Sequence, residues 1–224
     1  MKTALLFGST GLVGGHVLNQ LIQNDNYSKI KIFVRSSIEI NSSKIQINNS
    51  KIEVIQTDFN NLEKHKEEIE GDECFFCIGT TKKNSPDKNE YQRIELDIPK
   101  QVAQIAKSNN VKSYFFVSSG YANSKSSGDY LKYKGLVEEE ILGLGFSKIG
   151  IMRPSFILGN RKEFRLGEKI GIIIFKLLNP LFVGPLKKMR SIHSETIAKA
   201  MIKLANNNID QKIFESDQIS DLVK

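Results

Sequence analysis

The sequence predicts an α/β fold, a doubly wound parallel sheet, from three observations. Short, wholly apolar runs recur along the chain, as in strands buried on both faces. Longer segments with apolar residues at helical spacing separate them. The first apolar run also passes through a glycine-rich turn directly into the first helical segment, the junction from which β-α-β units are built. A small C-terminal elaboration on the substrate side of the sheet is expected where this alternation fails.

The elements follow in order. Thr3 to Phe7 is an apolar run ending at a glycine and reads as a strand. Leu12 to Ile22 is a helix, with Leu12, Val13, Val17, Leu18, Leu21 and Ile22 at helical spacing. Ile30 to Val34 makes a second strand and Ile52 to Ile55 a third, after an Asn/Ser-rich connection at 41–50. Asn60 to Glu70 reads as a polar helix and Cys74 to Ile78 as a fourth strand. Glu90 to Asn109 places Ile94, Ile98, Val102, Ile105 and Ala106 on one helical face, and Pro99 inside it implies a kink or a start near that residue. Tyr114 to Val117 is a fifth strand, Tyr130 to Leu144 a helix and Ile149 to Met152 a sixth strand. Beyond Met152 come a charged loop (Asn160 to Leu166), an apolar segment (Ile170 to Leu186), a helix (Ser194 to Asn206) and a short strand (Lys212 to Glu215). Residues 153–192 therefore read as a lid or pocket elaboration within one domain spanning 1–224.

Composition narrows the class. A chain of 224 residues can bury a core without metals or disulfides, and 40% hydrophobic with 25% charged residues excludes bulk disorder. The two cysteines, Cys74 and Cys77, argue against a secreted disulfide scaffold. Three apart on a strand, their thiols point to opposite faces, so neither a redox pair nor a zinc site is read there. His16, His65 and His193 are dispersed, and no metal site is expected; His193, opening a helix, reads as a cap or pocket-rim residue. The amino-terminal apolar run is too short for a signal peptide, which makes the cytoplasm the expected location. Lys176, Asn179 and Pro180 interrupt Ile170 to Leu186, which falls short of the roughly 20 apolar residues of a membrane span and reads as a buried or pocket-lining helix. The net charge of +7 comes from lysines scattered along the chain without a nucleic-acid-binding motif, so a solvated basic surface is expected, with neither nucleic acid nor membrane as partner.

Gly8, Gly11 and Gly14 have the spacing G-x-x-G-x-x-G between a strand and a helix, the context of a dinucleotide-binding loop. Gly8 would make the tight turn, Gly11 would let backbone approach a pyrophosphate, and Gly14 would let helix and strand pack closely. Helix amides then face the phosphate charge, so Ser9, Thr10, Leu12 and Val13 join the glycines as candidate contacts. An NAD site usually has an acidic residue after the second strand. Here Arg35 stands there, with Ser36 and Ser37 beside it. An arginine cannot accept ribose hydrogen bonds but can pair with a 2′-phosphate, so NADP is preferred over NAD. Asp58, after the third strand, is placed either to accept from an adenine amine or to cap the following helix.

A strand ending in Ser118 and Ser119 is followed by Tyr130-Leu-Lys-Tyr-Lys134, which puts Tyr130 and Lys134 on one helix face. Such a lysine favours the phenolate electrostatically and makes Tyr130 a workable general acid near neutral pH. Ser119 can donate to a substrate carbonyl and steady the developing oxyanion.

In this order and at these distances, G-x-x-G-x-x-G, Ser-Ser and Y-x-x-x-K resemble the short-chain dehydrogenase/reductase family and its Rossmann fold. FFCIGTTKK at 75–83, AKSNNVKSYFFVSS at 106–119 and IMRPSFILGNRKE at 151–163 are similar to the atypical branch that includes the Tat-interacting oxidoreductase-like proteins. The resemblance covers roughly residues 1–205. It implies that Tyr130 donates the proton, that Lys134 binds the nicotinamide ribose, and that Ser119, with Ser118 as the alternative, polarises a carbonyl. Gly79 and Thr80 would pass along the cofactor, and Pro154 and Ser155 would sit near the nicotinamide. Where many relatives place asparagine in the long helix, this chain is read to have Asp97. Ser119 to Tyr130 is also a slightly short separation for the family.

The expected function is an NADP(H)-dependent oxidoreductase acting on a small carbonyl or alcohol, as a monomer or homodimer. The alternative is an NADP(H)-binding regulatory or redox-sensing protein with little catalysis. A sugar-nucleotide epimerase or dehydratase is less favoured, because only about seventy residues follow the sixth strand. Arg161, Lys162, Arg165, Lys169, Lys187 and Lys188 surround the apolar segment and would suit an apolar or anionic substrate, or form a solvated rim.

Overall fold

Ala4, Leu5, Leu6 and Phe7 are wholly buried, because the run they form is the central strand of a sheet covered on both faces. The computed structural model describes residues 1–35, 49–159 and 182–224. Its main sheet contains β1 (Lys2–Phe7), β2 (Tyr27–Val34), β3 (Ile52–Gln56), β4 (Glu73–Phe76), β5 (Ser113–Val117), β6 (Lys148–Arg153) and β9 (Ile213–Glu215). All pairings are parallel, in the order β3-β2-β1-β4-β5-β6-β9. The winding direction reverses between β1 and β4, and in open α/β sheets that reversal opens a crevice at the carboxyl ends of the strands.

Alternate strand residues face opposite layers. Leu6, Phe75, Phe115 and Met152 pack with α1 (Leu12–Gln23) and α5 (Ser194–Asn206) on one side. Leu5, Phe7, Phe76, Phe116 and Ile151 pack with α3 (Ile98–Ser108) and α4 (Asp129–Gly143) on the other. Cys74 belongs to the second layer and Cys77 packs against the first, so the two thiols do lie on opposite faces.

Several elements differ from the sequence reading. The stretch from Asn60 to Glu70 forms only a short 3-10 helix, Leu62–His65. Leu62 and Ile69 are its buried anchors, too few to pin a longer amphipathic helix against the sheet. The long helix is irregular near Pro99, as expected, but through a π-turn: α2 (Lys88–Gln92) passes through a π-helical turn, Arg93–Asp97, and α3 starts at Ile98 with Pro99 in its first turn. β2 begins earlier, at the buried Tyr27.

Three further elements come from the tail: the two-residue parallel pair β7 (Ile157–Leu158) and β8 (Ile192–His193), and α6 (Ser216–Leu222). α6 starts with a capping box between Glu215 and Gln218. His193 takes the N-cap position of α5, but its side chain makes no capping bond. Of the expected lid at 153–192, the structure describes β7, β8 and a 3-10 helix, Gly184–Met189. Most of the apolar segment, the basic residues Arg161, Lys162, Arg165 and Lys169, most of the polar connection at 41–50, and Ser36 and Ser37 lie outside the described residues. At the end of the apolar segment Val183 and Leu186 are exposed, so that end is not the buried helix expected.

Candidate dinucleotide site

The glycine loop joins β1 to α1 with almost no spare room. Gly8 has φ +86°, and a Cβ there would come within 2.8 Å of the Cys77 carbonyl carbon beyond β4. A Cβ on Gly14 would fall 2.0 Å from the Gly8 carbonyl oxygen, so the start of α1 rests on the end of β1. The Gly11 amide donates to that same carbonyl at 3.0 Å. Thr10 and Gly11 are exposed at the loop tip, where the first α1 amides have no partners within the helix. Ser9 and Val13 are buried, so their side chains are not presented at the loop surface. A cradle that any Cβ would fill, at a helix N-terminus and beside the β1–β4 crevice, fits a dinucleotide pyrophosphate.

On the β2–β3 side of the crevice, Arg35 closes β2 and Asp58 follows β3. Both line an open cavity of about 480 Å³ together with Gln56, Thr57, Asn61, Lys64 and His65. The Asp58 carboxylate accepts from the Asn60 amide at 2.9 Å, and this bond to the backbone holds its carboxyl below the ordinary range. Asp58 therefore closes a turn instead of capping a helix. Lys64 and His65 were absent from the sequence-level site because their segment read as a solvated helix face.

At the opposite end the two serines separate. Ser118 is buried and its hydroxyl donates to Glu138. Glu138 is also buried, and the Arg153 guanidinium grips it at 3.0 Å while reaching Glu215 at 3.4 Å. Ser118 thus belongs to a network tying β5 to α4 and β6. The partly exposed Ser119 donates only to the Gly120 carbonyl, at 3.4 Å, and is the serine available to a ligand. The Gly120 amide in turn donates to the Pro154 carbonyl at 2.8 Å. Ser155 is held by its amide to the Ser216 hydroxyl at 2.7 Å and by its own hydroxyl to the Met189 carbonyl at 3.0 Å. The loops after β5 and β6 therefore meet, as the sequence reading requires. The short separation from Ser119 to Tyr130 is accommodated because the connecting loop lies flat on α4: a Cβ on Gly135 would fall 2.2 Å from the Ser124 amide nitrogen.

Tyr130 stands on the first turn of α4, 37% exposed, and Lys134 one turn later is buried. The Lys134 ammonium lies 6.0 Å from the Tyr130 ring centre and 4.9 Å from that of Phe116. Its closest charged partner is Glu95, whose Oε2 is 2.9 Å away, with both side chains almost wholly buried. Glu95 Oε1 accepts from the Thr80 amide at 2.5 Å, and Gly79 lies against the pair. The structure thus brings Gly79, Thr80 and Lys134 together through a residue the sequence reading missed. The helix position read as Asp97 does not fill that place: Asp97 is partly exposed and lines a different cavity, with Arg93 and Lys100. Burial pushes the neighbouring Cys77 thiol up to about 12 against the pull of Lys134, which keeps it protonated at neutral pH. Among the described residues no group of His, Cys, Asp or Glu is placed to hold a metal.

The model of the NmrA-like family matches residues 1–217. The chain belongs to the NmrA-like family. Its fold is accordingly a dinucleotide-binding Rossmann fold. This NmrA-like chain is 32% identical over 201 residues to the mitochondrial protein FMP52 of Meyerozyma guilliermondii, covering 89% of this chain and 83% of that protein. It is also 29% identical over 168 residues to HTATIP2 of Rattus norvegicus, covering 75% of this chain and 67% of that protein. That similarity agrees with the Tat-interacting branch suggested by the motifs. Among solved structures it superposes on UDP-glucuronic acid 4-epimerase from Bacillus cereus in complex with NAD, with a TM-score of 0.68 and 17% identity, covering 95% of this chain and 76% of that one. This likeness shows the fold alone.

The FMP52 relatives are named mitochondrial, which overturns the cytoplasmic expectation. That expectation rested on the apolar run Ala4 to Phe7, which is the central strand of the sheet and says nothing about compartment. Among the described residues no helix is long and apolar enough to cross a membrane.

Proposed function

We propose that this NmrA-like chain binds NADP(H) in the β1–β4 crevice and serves as a regulatory, redox-sensing protein with low turnover. The observation that carries this reading is the distribution of positive charge along the crevice. At the adenosine end, Arg35 and Lys64 line an open polar cavity together with Asp58, where the two cationic side chains suit a 2′-phosphate. At the other end the Lys134 charge is matched by Glu95 at 2.9 Å. A balanced lysine can still hold ribose hydroxyls, but it brings less net positive charge to the site than a lone ammonium would. The cofactor supplies hydride chemistry when bound. The chain's own share is to meet the phosphates with α1 amides, hold the adenosine end beside Arg35 and Asp58, and present Ser119, Tyr130, Pro154 and Ser155 beside the nicotinamide. Similarity to HTATIP2 and to the Tat-interacting branch supports the same reading.

A second reading, an NADP(H)-dependent oxidoreductase acting on a small carbonyl or alcohol, is favoured by one observation. Ser119, Tyr130 and Lys134 come from the carboxyl end of β5 and the start of α4, on the crevice side of the sheet. Fluorescence titration with NADPH and NADH, followed by a carbonyl panel with NADPH, separates the two. NADPH binding stronger than NADH binding, without NADPH oxidation across the panel, supports the regulatory role. Turnover that disappears in Tyr130→Phe establishes the oxidoreductase instead. Failure to bind either cofactor overturns both.

A further inference from the structure

The π-helical turn Arg93–Asp97 sits in the middle of a helix and directs one carboxylate, Glu95, inward. Single π-turns within α-helices occur frequently at functional sites. Glu95 is only 1% exposed, and an ionised carboxylate at that depth is costly unless it is paired and hydrogen-bonded. It has both kinds of partner: the Lys134 ammonium at 2.9 Å on one oxygen and the Thr80 amide at 2.5 Å on the other. The chain after β4 passes directly over this pair at a glycine. The Cβ that Gly79 lacks would stand 3.5 Å from Glu95 Oε1 and 3.9 Å from Lys134 Nζ. Gly79 thus lies within van der Waals reach of both charged groups.

Resting on the reading that the crevice holds NADP(H), we propose that Glu95 is a positioning residue for the nicotinamide-side ribose, acting through Lys134. Glu95 fixes the Lys134 ammonium beside Gly79 and Thr80, so the ribose subsite is formed before the ligand arrives.

The charges around Lys134 support this assignment. Burial, the largest single effect, would push its ammonium below the ordinary lysine value; the Glu95 carboxylate, together with Tyr130 and Glu138, outweighs it and the ammonium is raised. Tyr91 and Glu95 face the pair from the α2 and π-turn segment, and Tyr130 and Glu138 face it from α4. Cys77 does so from the end of β4. From β5 come the Phe116 ring face and the Val117 carbonyl, the latter at 3.5 Å. Glu95 is the one within ion-pair distance, so its removal leaves burial opposed only by the more distant Tyr130 and Glu138.

The test compares wild type, Glu95→Gln and Glu95→Asp by titration with NADPH and with 2′,5′-ADP, from neutral to alkaline pH. The second ligand keeps the adenosine half and lacks the nicotinamide-side ribose. In Glu95→Gln, NADPH affinity should fall about tenfold, the scale of one charge-assisted hydrogen bond, while 2′,5′-ADP affinity stays put. The loss should deepen as pH rises, because an unpaired buried ammonium gives up its proton, whereas wild-type affinity stays flat. Glu95→Asp keeps the charge on a shorter arm, so it should weaken NADPH selectively without acquiring the pH slope; it carries the comparison if Glu95→Gln does not fold. Equal losses for both ligands would show a merely structural residue and overturn the assignment. So would variants that bind NADPH as wild type does. Wild type that binds neither ligand overturns the dinucleotide reading itself, an outcome distinct from failure at Glu95 alone.

Discussion

The Gly8 carbonyl oxygen occupies the space a Gly14 side chain would need, 2.0 Å from where its Cβ would be. Neither atom can give way cheaply, since one belongs to the turn leaving β1 and the other to the first turns of α1. Gly14→Ala should therefore cost stability on the scale of overpacking, about 1–3 kcal/mol, and abolish NADPH binding by moving the α1 amides. Gly11→Ala is the control for stability. Its Cβ would meet the same oxygen at 3.2 Å, a contact that a small shift relieves. Urea denaturation of both variants checks this, and equal losses of stability would contradict the loop geometry, while NADPH titration of Gly14→Ala checks the binding loss.

Ser118 and Ser119 are adjacent but should answer differently to alanine. Ser118→Ala removes a buried donor from Glu138, the carboxylate that Arg153 also grips. The expected cost is about 1–3 kcal/mol of stability, because a buried charged acceptor loses a partner. Ser119→Ala gives up only a long bond to Gly120 and should leave the urea midpoint within experimental error. Any carbonyl reduction that wild type shows should drop in Ser119→Ala. A destabilised Ser119→Ala beside an unaffected Ser118→Ala would reverse the assignment.

Arg35, just after β2, and Lys64, in the 3-10 helix after β3, line one cavity and should both discriminate between cofactors. Arg35→Ala should weaken NADPH about tenfold or more while changing NADH little, since the lost interaction is with the extra phosphate. Lys64→Ala should act in the same direction but less, because a lysine meets phosphate as a point charge without the arginine fork. Raising salt should shrink the NADPH advantage of wild type. Parallel loss of NADPH and NADH affinity in Arg35→Ala would remove the 2′-phosphate from the argument.

Most of the sheet was legible because strand burial, helix period and glycine spacing are local properties of the chain. The misses have physical reasons. Leu62 and Ile69, seven residues apart, imitate two helical turns, yet they anchor a short 3-10 helix and a following turn. Glu95 was missed because only the apolar residues Ile94 and Ile98 were read as the core face, although Glu95, four after Tyr91 and three before Ile98, shares the face of both. Ser118 and Ser119 look equivalent in sequence; only the distant Glu138 separates them. Lys64 and His65 reach the Arg35 cavity only because β2 and β3 are neighbours in the sheet.

The core also makes a prediction about alkaline solution. Cys74 and Tyr114 sit side by side at the centre of the sheet, and burial pushes both the thiol and the phenol well above their ordinary values. Tyr27 is raised as well, by burial and then by the Glu73 carboxylate beside it. For each group the folded state holds its proton more tightly than the unfolded chain does. The stabilisation is therefore fully present below the unfolded values, 9.0 for the thiol and 10.0 for the phenols, and is lost as pH rises above them. Stability should stay level to about pH 9 and then fall, each such group contributing about 1.4 kcal/mol per pH unit once its unfolded form ionises. Tyr114→Phe removes one phenol while keeping the ring that packs on Phe146, so its decline should be shallower than that of wild type. Urea midpoints measured at rising pH for the two proteins decide it, and a Tyr114→Phe curve as steep as wild type's at the alkaline end would show that this phenol does not titrate with unfolding.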